Sequence, residues 1–185
     1  MIWYEKENEL GCDIEGGNCG GFGCIGSAEC ACNDGEDVMR RINLIVIHCS
    51  ATRADRHYTE AELTADHLRR GVSEAGYHYY IRLNGDIKSL RSVEKAGAHA
   101  RGYNASSIAV CYEGGLDCHG VPKDTRTEWQ RHSLRVLVRT LKMDYPEARV
   151  VGHRDLSPDV NGNGEVEPME WTKECPCFEV KGERW

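Results

Sequence analysis

The side chains of this sequence best suited to chemistry lie near its C-terminus, where His153 follows an apolar pair and Lys173 and Cys175 come further along. They offer an imidazole, an ammonium and a thiolate. Catalytic zinc usually takes three protein ligands and leaves a fourth position for water, so a third ligand should end another buried element. His48, which closes the apolar run 42–47, fits that description.

Two apolar strands must position the histidines, one over 42–47 before His48 and one over 149–151 before His153. If these strands are parallel neighbours, both imidazoles emerge at the carboxyl edge of a sheet, where ligands bind in open α/β folds. Each residue also has an ordinary interpretation, since a histidine after a strand is often a turn residue and a cysteine is often a small buried apolar group. The combination favours the metal site.

Two capping-box patterns predict the helices of the chain. Thr59 is followed three residues later by Glu62, and Thr127 is followed by Gln130 at the same spacing. After the second box, apolar residues recur at helical spacing from Leu134 to Leu141, which is typical of an amphipathic helix.

The remaining strands alternate with these helices. Asn84-Gly85 lies between an aromatic run over 76–83 and a short polar run, which predicts an antiparallel hairpin, and the continuous apolar run over 107–112 predicts a buried strand. We therefore expect an α/β fold with a single central mixed β-sheet and helices on both faces, preceded by a short Cys/Gly-rich N-terminal segment.

Composition excludes several classes of protein. The chain has 185 residues, a formal net charge of -7 and no block of basic residues, which argues against nucleic-acid binding. It has no apolar stretch long enough for membrane insertion. Its first residues lack the basic and apolar regions of a signal peptide, so we expect the chain to stay in the cytoplasm of the cell that makes it.

The N-terminal segment is rich in cysteine and glycine. Five of the ten cysteines fall between Cys12 and Cys32, in a stretch too poor in apolar residues to form a core without a crosslink or a metal. A disulfide knot, a second metal site and an unstructured leader are the alternatives, and the leader is slightly favoured. Met39 begins a run that reads like a natural start, so we divide the chain into residues 1–38, an accessory or an over-extended reading frame, and a catalytic domain over 39–185.

Five motifs in order carry a family resemblance: His48-Cys49-Ser50-Ala51-Thr52, Gly76-Tyr77-His78, His99-Ala100-Arg101-Gly102-Tyr103-Asn104, Gly152-His153-Arg154-Asp155 and Lys173-Glu174-Cys175-Pro176. They resemble those of the zinc-dependent N-acetylmuramoyl-L-alanine amidases, which include the amidase-type phage lysozymes and share a fold with the peptidoglycan recognition proteins. The resemblance covers roughly residues 40–180.

The resemblance implies that His48, His153 and Cys175 bind zinc and that Tyr77 and Lys173 form the catalytic pair. The implied reaction is cleavage of the amide between N-acetylmuramic acid and L-alanine in peptidoglycan by a zinc-activated water. A non-catalytic peptidoglycan-binding module is the alternative. The expected enzyme is a monomer that reaches the cell wall through a holin, through lysis or by another non-classical route. Cys177 departs from the family pattern and makes the identity of the sulfur ligand ambiguous, although the Lys-x-Cys-Pro order favours Cys175.

Further histidines need an assignment. The resemblance places His99 and Asn104 in the loop that lines the substrate groove, where they are expected to contact substrate; for His99 a structural hydrogen bond is the alternative. His67 lies on the first helix and His78 points to the strand face opposite Tyr77, so both are interpreted as structural.

A second departure from the family lies between His153 and Cys175. Residues 159–170 match the calcium-loop pattern D-x-[DN]-x-[DN]-G-x5-E, with Asp159, Asn161, Asn163, Glu165 and Glu170 as ligands. The sequence predicts no helix before this loop, and Asn-Gly repeats also form simple turns. Calcium binding and a plain turn are therefore both open, and bound calcium would hold the Cys175 segment in place.

Overall fold

A computed structural model describes residues 40–185 of the chain, so the predictions made for residues 1–38 and for Met39 lie outside the described residues. The regular elements, in chain order, are β1 (Leu44–Cys49), β2 (Thr52–Arg53), α1 (Glu60–Arg69), β3 (Tyr79–Ile81), β4 (Ile87–Ser89), β5 (Ser107–Tyr112), β6 (Gly115–Leu116), α2 (Glu128–Asp144) and β7 (Arg149–Gly152). Single 3₁₀ turns cover Asn104–Ser106, His153–Leu156 and Pro168–Glu170.

The central sheet has the strand order β4-β3-β5-β1-β7. β3, β5, β1 and β7 are parallel, and β4 alone is antiparallel to its neighbour, β3. Every residue of β1 and β5 is buried, as expected for central strands covered on both faces. The predicted mixed α/β sheet is confirmed. β2 and β6 form a separate two-stranded parallel ribbon.

The two helices cover opposite faces of this sheet. Side chains alternate along a strand, and in β5 Ile108 and Val110 pack in the core that contains Leu134 and Val138 of α2, while Ala109 and Cys111 pack with Leu63 of α1. The prediction of helices on both faces is confirmed.

Both predicted capping boxes are present. The Thr59 side chain accepts from the backbone N–H of Glu62, and the Thr127 side chain accepts from that of Gln130; in each case the partner side chain returns a bond to the cap. These bonds satisfy N–H groups that the first helical turn leaves unpaired, so α1 and α2 begin where the sequence predicts.

The predicted hairpin is confirmed with a longer loop than two residues. Arg82 donates its backbone N–H to the Asp86 carbonyl, and Gly85 takes a φ of +87°, a left-handed value that glycine adopts without strain. The first strand covers only Tyr79–Ile81 of the predicted run 76–83. No helix within residues 40–185 is long and apolar enough to cross a membrane.

Candidate metal centre

Two neighbouring parallel strands bring the two predicted histidine ligands together. His48 lies within β1, and His153 directly follows β7, which pairs with β1 so that Ile47 is level with Gly152. The imidazole centroids of His48 and His153 are 4.5 Å apart. The carboxyl edge of the sheet therefore holds both rings, as the strand pattern predicts.

Cys175 joins these histidines from an irregular segment near the end of the chain. Its Sγ is 3.8 Å from Nδ1 of His48, and one ligand atom each from His48, His153 and Cys175 lie within 4.8 Å of one another. Ligands at tetrahedral zinc, at ~2.0 Å for nitrogen and ~2.3 Å for sulfur, are separated by roughly 3.3–3.6 Å. Two imidazoles and one thiolate at this spacing fit a zinc ion after small adjustments.

Contacts from three other elements hold the Cys175 segment at this edge. The backbone N–H of Cys49 donates to Cys175 Sγ at 3.2 Å, and that of Arg154 donates to the Cys175 carbonyl at 2.8 Å. The Tyr112 hydroxyl donates to the Pro176 carbonyl at 2.7 Å. These contacts place the Cys175 sulfur at the same edge of the sheet as the two imidazoles.

Gly152 is a supporting residue that the sequence reasoning missed. A Cβ built on it would lie 2.8 Å from Cδ of Pro176, the residue after the candidate ligand Cys175. The available signal was a glycine at the end of an apolar strand, which often marks a close backbone approach.

The ambiguity between the two nearby cysteines has a geometric answer. Cys177 has a φ of +67°, and its Sγ lies 3.7 Å from that of Cys49 rather than with the histidines. Its hydrogen bond with Cys49, together with burial, raises the pKa of Cys177 well above its ordinary value. The Cys177 thiol therefore stays protonated, and Cys175 is the sulfur grouped with the imidazoles. Cys49 and Cys111 are buried free thiols.

Burial also sets the charge of His48. The side chain is fully buried, and desolvation lowers its pKa well below the ordinary value, with further lowering from His153, His99 and Lys173. His48 is therefore neutral at pH 7. A neutral imidazole keeps the lone pair that a metal needs.

The two residues predicted as a catalytic pair lie near this group. Tyr77, just before β3, is 7% exposed, and its ring centroid is 5.0 Å from that of His48. Lys173, two residues before Cys175 in the chain, lies close enough for its charge to lower the pKa of His48. A phenol and an ammonium group thus lie near the candidate ligands.

The loop predicted to line the substrate groove packs directly behind His48. Nδ1 of His99 is 3.0 Å from Nε2 of His48, and burial, with smaller effects of His78 and His153, lowers the pKa of His99 to about 3. The Asn104 side-chain oxygen accepts the backbone N–H groups of His99 and Ala100, both at 2.9 Å. Asn104 therefore shapes the loop; contact of either residue with substrate stays a prediction.

His67 and His78 have structural contacts. Nδ1 of His67 accepts from the Gly76 N–H at 2.8 Å, and Nδ1 of His78 accepts from the Ala109 N–H at 2.9 Å. Burial lowers the pKa of each to about 4. Both rings are therefore neutral acceptors at pH 7.

The predicted calcium loop is closed by its own side chains. Asp159 accepts the backbone N–H groups of Gly162 and Gly164 at 2.7 and 2.8 Å, and Glu170 accepts those of Val160 and Asn161 at 2.9 and 3.0 Å. Pro168 begins a single 3₁₀ turn. These contacts gather the oxygens of the loop, and calcium binding stays a prediction.

Comparison with known proteins agrees with this geometry. The family model described as N-acetylmuramoyl-L-alanine amidase matches residues 38–177. An endolysin of Klebsiella phage KP32 is 35% identical over 141 residues, covering 76% of this chain and 83% of that protein.

Solved structures give the same result. The N-acetylmuramoyl-L-alanine amidase LysC from Clostridium intestinale matches with a TM-score of 0.56 and 30% identity, over 74% of this chain and 76% of that one. Drosophila PGRP-LB, at 22% identity and a TM-score of 0.55 over 74% and 75% of the two chains, shares the fold. The chain belongs to the N-acetylmuramoyl-L-alanine amidase family.

Proposed function

We propose that this protein is a zinc-dependent hydrolase that cleaves the amide between N-acetylmuramic acid and L-alanine in peptidoglycan. The observation that carries the proposal is the grouping of His48, His153 and Cys175 within 4.8 Å at one edge of the sheet. The family match and the endolysin relative support peptidoglycan as the substrate.

Zinc held by these three residues would acidify a water molecule and polarise the amide carbonyl. Two neutral imidazoles and one thiolate leave the site with residual positive charge, and an amide, as a poor electrophile, needs that help. The neutral state of His48 is ensured by its burial.

Lys173 and Tyr77 supply the remaining groups. Amide hydrolysis builds negative charge on the carbonyl oxygen, and a fixed donor to such an oxygen typically contributes ~3 to 4 kcal/mol. Lys173 brings a positive charge beside the candidate ligands. The Tyr77 hydroxyl donates a hydrogen bond or relays a proton at the same place, since its ring packs against His48.

The endolysin relative supports a proposal for the setting in which the enzyme would work. We propose that the chain acts as an endolysin, monomeric, and that it reaches the cell wall through a holin, through lysis or by another non-classical route. Its net charge of -7 argues against a nucleic-acid partner.

The alternative is a non-catalytic module that binds peptidoglycan, because the fold is shared with PGRP-type proteins. Recognition needs neither a complete zinc ligand set nor a charged donor beside it. The joint presence of Cys175, Lys173 and Tyr77 at one site favours the enzyme.

The deciding experiment is an assay of the purified full chain on cell-wall sacculi, with and without a zinc chelator. We expect new L-alanine amino termini, their loss with chelator and their return with added zinc. Lys173→Met should lower kcat by about 10²- to 10³-fold, whereas Lys181→Met, an exposed lysine in the same terminal segment, should leave it unchanged. New reducing sugar ends would identify a glycosidase, and binding without any product would identify the recognition module.

A further inference from the structure

We infer that His99 is a positioning residue that fixes the tautomer and the orientation of His48 as a zinc ligand, an inference that rests on the proposed zinc function. His48 has two ring nitrogens with different neighbours. Its Nδ1 faces Cys175 Sγ at 3.8 Å, and its Nε2 faces Nδ1 of His99 at 3.0 Å. The nitrogen on the side of the sulfur ligand is the one available to a metal.

This geometry determines where each proton lies. A metal on Nδ1 of His48 requires the proton on Nε2, which then donates to His99 Nδ1. His99 must carry its own proton on Nε2, and that nitrogen lies 3.2 Å from Oγ of Ser107. The Ser107 hydroxyl in turn donates to the Tyr103 carbonyl at 2.7 Å. Each donor in this series of hydrogen bonds has one acceptor, and the series ends at a backbone carbonyl.

The surroundings of His99 keep its ring in that orientation. Ser107 is a fully buried residue of β5, and the loop backbone at His99 is held by the Asn104 side chain. On another side, Gly97 packs against the ring: a Cβ built on it would lie 2.5 Å from Cδ2 of His99 and 3.0 Å from Cε1 of His78, so only a glycine fits there beside both rings. A fixed acceptor of this kind orients a metal-binding imidazole before the metal arrives.

The hydrogen bond between His99 and His48 also helps to decide whether His99 binds substrate or orients a zinc ligand. A residue that binds substrate changes KM when it is removed. A residue that orients a ligand changes zinc affinity and kcat, because the metal site loses its geometry before substrate arrives. The Nδ1 acceptor of His99 already faces His48, and its Nε2 already faces Ser107, so both polar atoms are engaged within the protein.

The test uses the full chain with two substitutions at one position. His99→Phe keeps the ring volume and removes the acceptor, whereas His99→Asn places an oxygen close to where Nδ1 lies. Zinc affinity is measured by competition with a chromogenic chelator. We expect His99→Phe to bind zinc about 10- to 100-fold more weakly, the typical effect of losing such a partner. His99→Asn should recover most of the affinity, and KM should stay unchanged in both variants when zinc is saturating.

A second measurement needs no variant. In ¹⁵N NMR of the zinc-loaded wild type, both His48 and His99 should carry their protons on Nε2. A proton on Nδ1 of His99 would overturn the inference, as would a His99→Phe variant with wild-type zinc affinity and a raised KM. Those outcomes differ from failure of the proposed function, in which the wild type itself binds no zinc.

Discussion

A methyl group added at Gly152 should weaken zinc binding without touching a ligand. Gly152 has a φ of -79° and a ψ of 158°, which alanine adopts without strain, so the effect of Gly152→Ala is purely steric. The new Cβ would lie 2.8 Å from Cδ and 3.3 Å from Cγ of Pro176. These atoms belong to a closed ring next to Cys175, and the ring cannot rotate away as the end of a long side chain would.

The size of the effect follows from these distances. Ordinary contact begins at 3.4 Å, so Pro176 and the attached Cys175 must move by about 0.6 Å. Metal sites tolerate about 0.2 Å in ligand distance. Overpacking of this kind typically costs ~1–3 kcal/mol. If zinc binding requires the strained position, that cost appears as a loss of zinc affinity of about 10- to 100-fold.

Zinc affinity of Gly152→Ala would be measured by chelator competition, together with thermal unfolding of the metal-free protein and kcat on sacculi with saturating zinc. Gly182→Ala is the matched control, because nothing lies within 4 Å of a Cβ built there. Gly152→Ala should be active only at raised zinc concentration. Wild-type zinc affinity in Gly152→Ala, with the protein folded, would show that the contact with Pro176 does not set the position of Cys175.

Three further predictions test the other parts of the site. Cys175→Ser should lose both bound zinc and turnover while keeping the wild-type circular dichroism spectrum, whereas Cys177→Ser should keep its zinc, since its thiol pairs with Cys49; turnover in Cys175→Ser would contradict the ligand assignment. Burial lowers the pKa of His67 from 6.5 to about 4. As pH falls from 6.5 to about 4, the unfolded chain therefore takes up a proton that the folded chain does not, and the folded state loses up to about 3 kcal/mol of stability. In His67→Gln, the free energy of unfolding from urea curves should fall less as pH is lowered than it does in the wild type. An equal fall in both proteins would show that His67 does not cause it. If the loop over residues 159–170 binds calcium rather than forming a plain turn, calcium added to chelator-treated protein should give a binding heat in calorimetry, and Glu170→Gln should reduce that heat. No heat in the wild type would show that the loop is a plain turn.

The parts of the fold that were predictable have local causes. The capping box of Thr59 and Glu62 spans four residues and begins α1 where expected, because the bonds that cap a helix are made within its first turn. The continuous apolar run that became β1 likewise reports burial on both faces. Once β1 and β7 are parallel neighbours, the approach of His48 and His153 follows from their register.

Other features depend on contacts between distant residues. His48 and His99 are 51 positions apart, and their hydrogen bond exists because the loop shaped by Asn104 turns the His99 ring toward β1. The pairing of Cys49 with Cys177 spans 128 positions and depends on the left-handed φ of Cys177. Nothing in the local sequence encodes either ring orientation or backbone conformation, so sequence reasoning could name these residues without assigning their partners.

The three candidate ligands differ in how the fold supports them. His48 and His153 are fixed by adjacent strands, whose register cannot change without breaking the ladder between β1 and β7. Cys175 lies on an irregular segment held by single contacts, among them the N–H of Cys49 on its sulfur and the N–H of Arg154 on its carbonyl. Each such contact contributes about 1 kcal/mol, which is far less than the pairing of a whole strand contributes. Of the three candidate ligands, Cys175 is therefore the one whose position depends most on metal binding. Zinc would therefore tie the terminal segment to the sheet as well as serve catalysis, and metal removal should loosen that segment before it affects β1 and β7.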